Sequence, residues 1–184
     1  MMAIKEKFQK EVIVAMKKEF GFKNDNAVPR ITKVVVNCGI GKMLIANPAN
    51  SKDLMHKIEE ALKLITGQKP VLRTAKSSIS SFKLREGAPV GLVVTLRSHR
   101  MYGFISRFIN IALPRTRDFW GISLKNFDDR GNLTYGVKEH VVFPEVSEET
   151  ILKPFGFEVT FVTNAKNKEQ AIKLFKLMGF PIKD

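Results

Sequence analysis

The chain has 184 residues, of which 44% are hydrophobic, enough for one ordinary core. It carries 31 lysines and arginines against 18 aspartates and glutamates, and the net charge of +13 favours a polyanionic partner, nucleic acid before anionic membrane. Its apolar runs are far shorter than the ~20 residues that span a bilayer. The first residues lack the apolar segment of a secretory signal peptide, and the single cysteine excludes an internal disulfide. These features argue against membrane-spanning and secreted classes, and we expect a cytoplasmic protein.

The beginning of the chain is predicted to form a helix, a strand and a turn. Apolar residues recur at helical spacing over residues 3–20, and Gly21 is expected to end this helix. The β-branched segment 31–37 follows a proline and predicts a strand. Two glycines in residues 38–41 predict a turn there.

A second helix and two strands are predicted next. An apolar stripe over residues 54–65 indicates a helix, with Ser51 as its cap and Gly67 as its end. Residues 71–75 and 90–97 are rich in β-branched side chains, and each run predicts a strand.

The rest of the chain is predicted to contain two helices and three strands. The helix over residues 101–112 should stop before Pro114, because proline lacks a backbone N–H. The last helix should begin at Asn167, with Gln170 placed for reciprocal capping. The strands are predicted at residues 122–126, 134–143 and 157–163, with a turn at 128–132. Trp120 and most phenylalanines lie at core spacing and are expected to be buried.

The order α-β-α-β-β-α-β-β-β-α indicates the fold class. Strands often follow strands directly, which favours an α+β fold with a largely antiparallel sheet and helices packed on one face. No internal repeat or linker divides the chain, so we expect a single domain over residues 1–184. The other face of such a sheet stays open, and open faces that bear Arg, Asn, Thr and an aromatic ring commonly bind RNA.

The positive charge is concentrated in residues 69–117, the basic block, which holds ten basic residues and one acid. Within it, residues 76–89 are too many for a tight hairpin loop of ~2–5 residues. Folded back on itself at ~3.3 Å per residue, this segment would extend roughly 20 Å. We call it the arm, and expect a basic, hairpin-like element that places Ile79, Phe82 and its serines against nucleic acid. A purely structural loop would turn Ile79 and Phe82 inward.

The sequence offers no convincing catalytic or metal site. Gly39 to Lys42 looks like a phosphate loop, but a Walker loop requires glycine and Ser or Thr where this chain has Val36 and Met43. Cys38 and the three histidines lack metal-ligand spacing, and Cys38 is expected to be a small buried residue without a redox role. Without a nucleophile, base or cofactor motif, we predict that the protein is not an enzyme and uses no cofactor.

Several long segments in fixed order resemble one protein family. They are ITGQKP (65–70), TAKSSISSFKLREGAPVG (74–91), VTLRSHRMYGF (94–104), ALPRTRDFWGIS (112–123), FDDRGN (127–132) and EHVVFPE (139–145), with VVVNCGIG (34–41) and KLMGFPIKD (176–184) towards the two ends. Nearly the whole chain is similar to the large-subunit ribosomal protein of the universal L-five family, in its bacterial form. The resemblance implies a concave sheet, no catalysis, and a structural role in the large ribosomal subunit, where this family binds 5S rRNA in the central protuberance.

The resemblance also implies three contact regions. The residues for 5S rRNA are Asn37, Gln68, Lys76, Phe82, Thr95, Arg97 and Arg100. Those of the arm, which would approach the P-site tRNA, are Lys76, Ser77, Ser78, Ile79, Ser80, Ser81 and Lys83. Those of a bridge to the small-subunit head and its ribosomal protein thirteen are Arg115, Arg117, Asp118 and Arg130. The other implied partners are large-subunit rRNA and the neighbouring 5S-binding ribosomal proteins.

The residues alone leave two other interpretations open. A free-standing RNA-binding or RNA-chaperone module would use the same sheet, and an enzyme that acts on an acidic substrate would also account for the charge. Co-sedimentation with the large subunit separates the first from a ribosomal protein, and turnover that survives salt washing would support the second. The ribosomal interpretation explains the basic block, the arm and the nearly neutral residues 118–184 together, but only the family resemblance separates it from a free-standing RNA-binding module.

Overall fold

The structure, a computed structural model, describes residues 4–146 and 154–183. Within these ranges the α-helices are α1 (Ile4–Lys7), α2 (Ile13–Phe20), α3 (Gly41–Ala46), α4 (Ser51–Thr66), α5 (Ser98–Arg107), α6 (Leu113–Arg115) and α7 (Lys168–Met178). The strands are β1 (Ile31–Gly39), β2 (Val71–Thr74), β3 (Pro89–Leu96), β4 (Leu133–Val137) and β5 (Phe157–Thr163).

The strands form one sheet in the order β2-β3-β1-β5-β4. The sheet is open and antiparallel, which confirms the predicted α+β class. In β3, Leu92, Val94 and Leu96 are buried while Thr95 is exposed. Because successive strand side chains point to opposite faces, this alternation means that one face of the strand is covered and the other faces solvent.

Two helices contain a widened turn. α1 and α2 are joined by the π-helical turn Phe8–Val12 and end at Gly21, whose φ of 69° confirms the predicted stop. The predicted start at residue 3 lies outside the described residues. The helix predicted to stop before Pro114 instead begins at Ser98, passes through a π-helical turn at Phe108–Ala112 and continues to Arg115, so that prediction was wrong. Pro114 lies after the π turn, at the start of α6, where a missing backbone N–H is tolerated.

The helix caps were predicted less well than the helices. α4 ends at Gly67 with φ 69°, as expected, but Ser51 is its first helical residue and Asn50 holds the cap position. At α7 the Gln170 side chain accepts a hydrogen bond from the Lys166 N–H at 3.4 Å, and not from the N–H of Asn167 as the reciprocal cap requires.

Three segments that were predicted as turns or strands have a different structure or different bounds. Residues 38–41 are not a turn, because β1 continues to Gly39 and α3 begins at Gly41. The strand predicted at 122–126 is a 3-10 helix, Leu124–Asn126, with the Ser123 side chain accepting the Lys125 N–H. The strand predicted at 134–143 ends at Val137. The strand at 157–163 and the turn near residue 130 are confirmed.

The chain groups into two compact units, each with its own core. Unit 1 comprises Met1–Val34, Leu96–Tyr135 and Val159–Asp184, and in it the rings of Phe161 and Phe175 pack edge-on against Phe180 at 5.1 and 4.9 Å. Unit 2 comprises Val35–Thr95 and Gly136–Glu158, and the apolar stripe of α4 is buried in it. The expectation of a single domain stays a prediction.

Gly131 occupies a position that a side chain does not fit. Its φ is 77°, and an added Cβ would lie 2.7 Å from the Cβ of Ala171. We therefore expect Gly131→Ala to lower the free energy of unfolding by about 1–2 kcal/mol, measured by urea denaturation. Gly136→Ala is the matched control, because nothing lies within 4 Å of a Cβ there. Equal stabilities for the two variants would contradict the steric argument.

Candidate nucleic-acid interface

The exposed face of unit 2 carries two polar strand residues. Asn37 of β1 is exposed between the buried side chains of Val36 and Cys38. Thr95 of β3 is likewise exposed between the buried Val94 and Leu96. The burial pattern therefore places both predicted residues on the solvent side of their strands.

Gly91 lies beside Asn37 and is paired with a third polar residue, Arg73. Arg73 of β2 is paired with Gly91 of β3. A Cβ on Gly91 would lie 3.2 Å from the Cys38 carbonyl oxygen and 3.9 Å from Asn37 Oδ1. The absence of a side chain at this position lets β1 and β3 approach closely, with Asn37 on one side of Gly91 and the exposed Arg73 on the other. Sequence reasoning missed Arg73 as a site residue, because only the strand register reveals its neighbour.

Gln68 lies beside Thr95 although 27 residues separate them. Its Nε2 donates to the Thr95 carbonyl oxygen at 3.3 Å. The turn that follows α4 is held by Thr66, whose hydroxyl donates to the Leu62 carbonyl at 2.6 Å and accepts the Gln68 N–H at 3.3 Å. We call Asn37, Gln68, Arg73 and Thr95 the sheet surface.

The arm is closed at its base and again near its tip. Ala75 pairs with the chain returning at residues 87 and 88, through hydrogen bonds of 2.8 and 3.0 Å. Nearer the tip, Ile79 and Leu84 exchange hydrogen bonds of 2.9 and 3.1 Å around a short 3-10 helix, Ser80–Phe82. The predicted hairpin-like arm is therefore present. The Ile79–Leu84 bonds near its tip are separate from the Ala75 bonds that close its base.

The predicted arm residues, 76–81 and Lys83, are all exposed. The Ser78 hydroxyl is already engaged, since it accepts the Glu86 N–H at 2.9 Å. Phe82 is 69% exposed and lies on the arm, although the family resemblance assigns it to the 5S rRNA contact together with the strand residues Asn37 and Thr95. Its role in RNA binding stays a prediction.

The remaining predicted residues belong to unit 1. Arg97 is the N-cap residue of α5 and Arg100 lies in its first turn, and both are exposed. Arg115, Arg117 and Asp118 are exposed at and after the end of α6.

Arg130 is exposed in a turn that a neighbouring carboxylate holds. Asp128 accepts hydrogen bonds from the Asn132 backbone and side chain at 2.6 and 2.7 Å. Desolvation opposes ionisation, but these bonds, together with the backbone N–H and the positive charge of Arg130, outweigh it and hold the pKa of the Asp128 carboxyl below its ordinary value. The ionised carboxylate therefore stabilises the turn that presents Arg130.

Several cations of the basic block are available to a ligand. Among the described residues, no carboxylate lies within 4 Å of Arg73, Lys76, Lys83 or Arg97, whereas Lys69 pairs with Glu59 at 3.4 Å. Unpaired surface cations favour an anionic partner. The described part of the chain contains no His, Cys, Asp and Glu cluster suited to a metal, and no described helix is long and apolar enough to cross a membrane.

Cys38 lies beneath this surface, fully buried, with its Sγ 3.4 Å from the Gly156 carbonyl oxygen. Burial raises the pKa of its thiol from 9.0 to about 12. Between these values the unfolded chain releases the proton while the folded protein retains it, so we expect the free energy of unfolding to fall as pH rises through this range. Cys38→Ala should reduce that fall in urea denaturation series and leave RNA binding intact. Rapid alkylation of the native thiol at neutral pH would contradict the buried assignment.

Comparisons with known proteins agree with this architecture. The family model described as ribosomal protein L5 matches residues 24–85, and the model for the C-terminus of the same ribosomal family matches residues 89–182. Large ribosomal subunit protein uL5 of Thermosipho melanesiensis is 48% identical over 98% of this chain and 96% of its own length. The uL5 proteins of Dictyoglomus turgidum and Carboxydothermus hydrogenoformans are 47% and 48% identical, over 100% and 97% of this chain and 99% and 97% of their own lengths.

These relatives are structural ribosomal proteins, which confirms that the protein is not an enzyme. The predicted location, on the large ribosomal subunit in the bacterial cytoplasm, is that of the family. Both family models and the full-length relatives show that this chain belongs to the bacterial ribosomal protein L5 family, as a structural constituent of the large ribosomal subunit.

Proposed function

We propose that this protein binds 5S rRNA through the sheet surface and helps to attach it in the central protuberance of the large subunit. The observation that carries the proposal is the exposed pair Asn37 and Thr95, set in strands whose other face is buried. A side-chain amide and a hydroxyl can each donate to and accept from phosphate oxygens and ribose hydroxyls. Strands position these groups more rigidly than loops do, so little conformational freedom is lost on binding.

Charge is the second component of the proposed binding. Arg73 adds a guanidinium on the edge strand of unit 2, and the family resemblance also assigns Arg97 and Arg100, at the start of α5 in unit 1, to 5S rRNA. Arginine binds phosphate through a planar fork of donors, which orients the RNA as well as attracting it. Large-subunit rRNA and the neighbouring 5S-binding ribosomal proteins are the further partners that this location implies.

The arm is the proposed contact for the P-site tRNA. Small hydroxyl side chains at its tip allow close approach to an RNA backbone, Ile79 offers an apolar surface for a ribose or base, and Lys76 and Lys83 add charge. Arg115, Arg117, Asp118 and Arg130 are the proposed bridge to the small-subunit head and its ribosomal protein thirteen. Both proposals are supported by the exposure of these residues and by membership of the family.

The binding of purified protein to 5S rRNA tests the proposal. We expect the affinity to fall about tenfold or more when salt rises from low to physiological concentration, because phosphate contacts release counterions. Arg97→Ala should cost ~1–3 kcal/mol of binding free energy, and Arg97→Lys less, since lysine keeps the charge but loses the fork. Filter binding over a salt series measures both effects. An affinity that does not change with salt would contradict the phosphate contacts.

A further inference from the structure

Trp120 is the most exposed large apolar side chain in the described part of the chain, at 82% of its full accessibility. It was expected in the core, and that expectation was wrong. Neither the sheet surface nor the arm includes it, and it belongs to unit 1. An indole ring left in water has a hydrophobic surface and an N–H donor available to a partner.

The backbone on both sides of Trp120 is anchored. The Phe119 ring packs edge-on against Tyr135 at 6.4 Å. On the other side, the Ile122 N–H donates to the Pro181 carbonyl at 2.8 Å, and the Lys183 N–H donates to the Ile122 carbonyl at 2.9 Å. The chain therefore holds Trp120 between two fixed neighbours with its ring outward, and a partner would order it at little entropic cost.

Three basic residues lie near Trp120, two in the preceding chain and one against its neighbour Gly121. Arg115 and Arg117 precede it, and a Cβ on Gly121 would lie 3.3 Å from the Lys183 Cβ, which places Lys183 beside the indole's own chain neighbour. No carboxylate lies within 4 Å of these three side chains among the described residues. Asp118 is the one exposed acid within this segment of residues 115–121.

We propose that Trp120 is a stacking platform for an unpaired nucleobase of ribosomal RNA, with Arg115, Arg117 and Lys183 binding the flanking phosphates. A single exposed ring among unpaired cations is the arrangement that binds single-stranded RNA, where each stacked base adds affinity. A protein partner would instead favour a contiguous apolar patch, but here Phe119 is half-buried and Ile122 is buried. The proposal is separate from the sheet surface, which belongs to unit 2, and it shares Arg115 and Arg117 with the proposed bridge to the small-subunit head, on which it therefore partly rests.

The chain supplies its own probe, because Trp120 is its only tryptophan. We expect single-stranded oligoadenylate to quench the fluorescence of the intact protein, since a base stacked on the indole shortens its excited state. Inorganic polyphosphate of the same charge should bind the cations and leave the fluorescence nearly unchanged. Quenching by both polyanions alike, or by neither, would overturn the proposal. A blue shift with added small-subunit proteins and no quenching by oligoadenylate would assign the ring to a protein interface instead.

Affinity provides the second measurement. Trp120→Ala should weaken oligoadenylate binding roughly 5- to 150-fold, the range for loss of one stacked base, and Trp120→Phe should weaken it less. Val14→Ala is the matched control, because Val14 is 62% exposed on α2 and lies in no proposed interface. If Trp120→Ala binds like the Val14→Ala control, the stacking assignment is wrong. Titration with 5S rRNA and with small-subunit rRNA then identifies which RNA supplies the base, independently of whether the sheet-surface variants lose 5S binding.

Discussion

Replacing Asn37 and Thr95 together by alanine is expected to weaken 5S rRNA binding by about 2–5 kcal/mol, because each side chain would lose a hydrogen bond to the charged RNA backbone. The fold should persist, since both side chains are exposed and the buried residues beside them are untouched. Filter binding with labelled 5S rRNA measures the loss, and thermal denaturation checks the fold. Single variants show how the loss divides between the two residues.

Asn110→Ala serves as the control for this double variant. Asn110 is an exposed asparagine in unit 1, and among the described residues its side chain hydrogen-bonds to Ser106, one helical turn away. It should bind 5S rRNA with parental affinity. If the double variant and the control bind equally well, the sheet surface is not the 5S interface.

Shortening residues 77–81 of the arm to Gly-Gly is expected to separate two functions. The backbone bonds that Ile79 makes with Leu84 would be lost, but the pairing of Ala75 with residues 87 and 88 lies outside the deletion. The register of β2 on β3 should therefore survive, and with it 5S binding, because loop tips tolerate deletion better than strands do. Occupancy of tRNA in the P site should fall severalfold, since the contacts at the tip are removed. Reconstituted large subunits allow both measurements, by 5S retention and by tRNA filter binding to the assembled ribosome.

A variant in which Gly and Ser replace residues 77–81 keeps the length of the arm. It therefore separates the effect of the side-chain contacts from the effect of arm length. If it behaves like the shortened arm, Ile79 and the native serines carry the tRNA contact; if it behaves like the parent, length alone does. The shortened protein could instead lose 5S rRNA as severely as the Asn37 and Thr95 double variant does. That result would assign the arm to the 5S interface and contradict the separation of 5S binding from tRNA binding.

The sequence predicted correctly those elements whose structure is decided by residues close together in the chain. The apolar periods of the first helix and of α4, and the glycines that end them, are local signals, and both helices and both stops are confirmed. β5 was predicted with its observed bounds, because its alternation and β-branched residues also lie within seven positions. The length and charge of residues 76–89 likewise predicted an exposed arm.

Contacts between distant parts of the chain decided the rest. Residues 122–126 were predicted as a strand, yet within the described part of the chain Ile122 forms an isolated bridge with Ile182, sixty positions away, and the chain then turns into a 3-10 helix. Arg73 joins the sheet surface because the register sets it opposite Gly91, which no local pattern encodes. Trp120 has the spacing of a core residue, but its two anchored neighbours point the ring outward. The sequence by itself therefore determined the first helix, α4, β5, the charge and the family, whose periods and motifs are local. Only the tertiary structure decided which side chains face solvent together, because strand register and anchoring contacts depend on residues far apart in the chain.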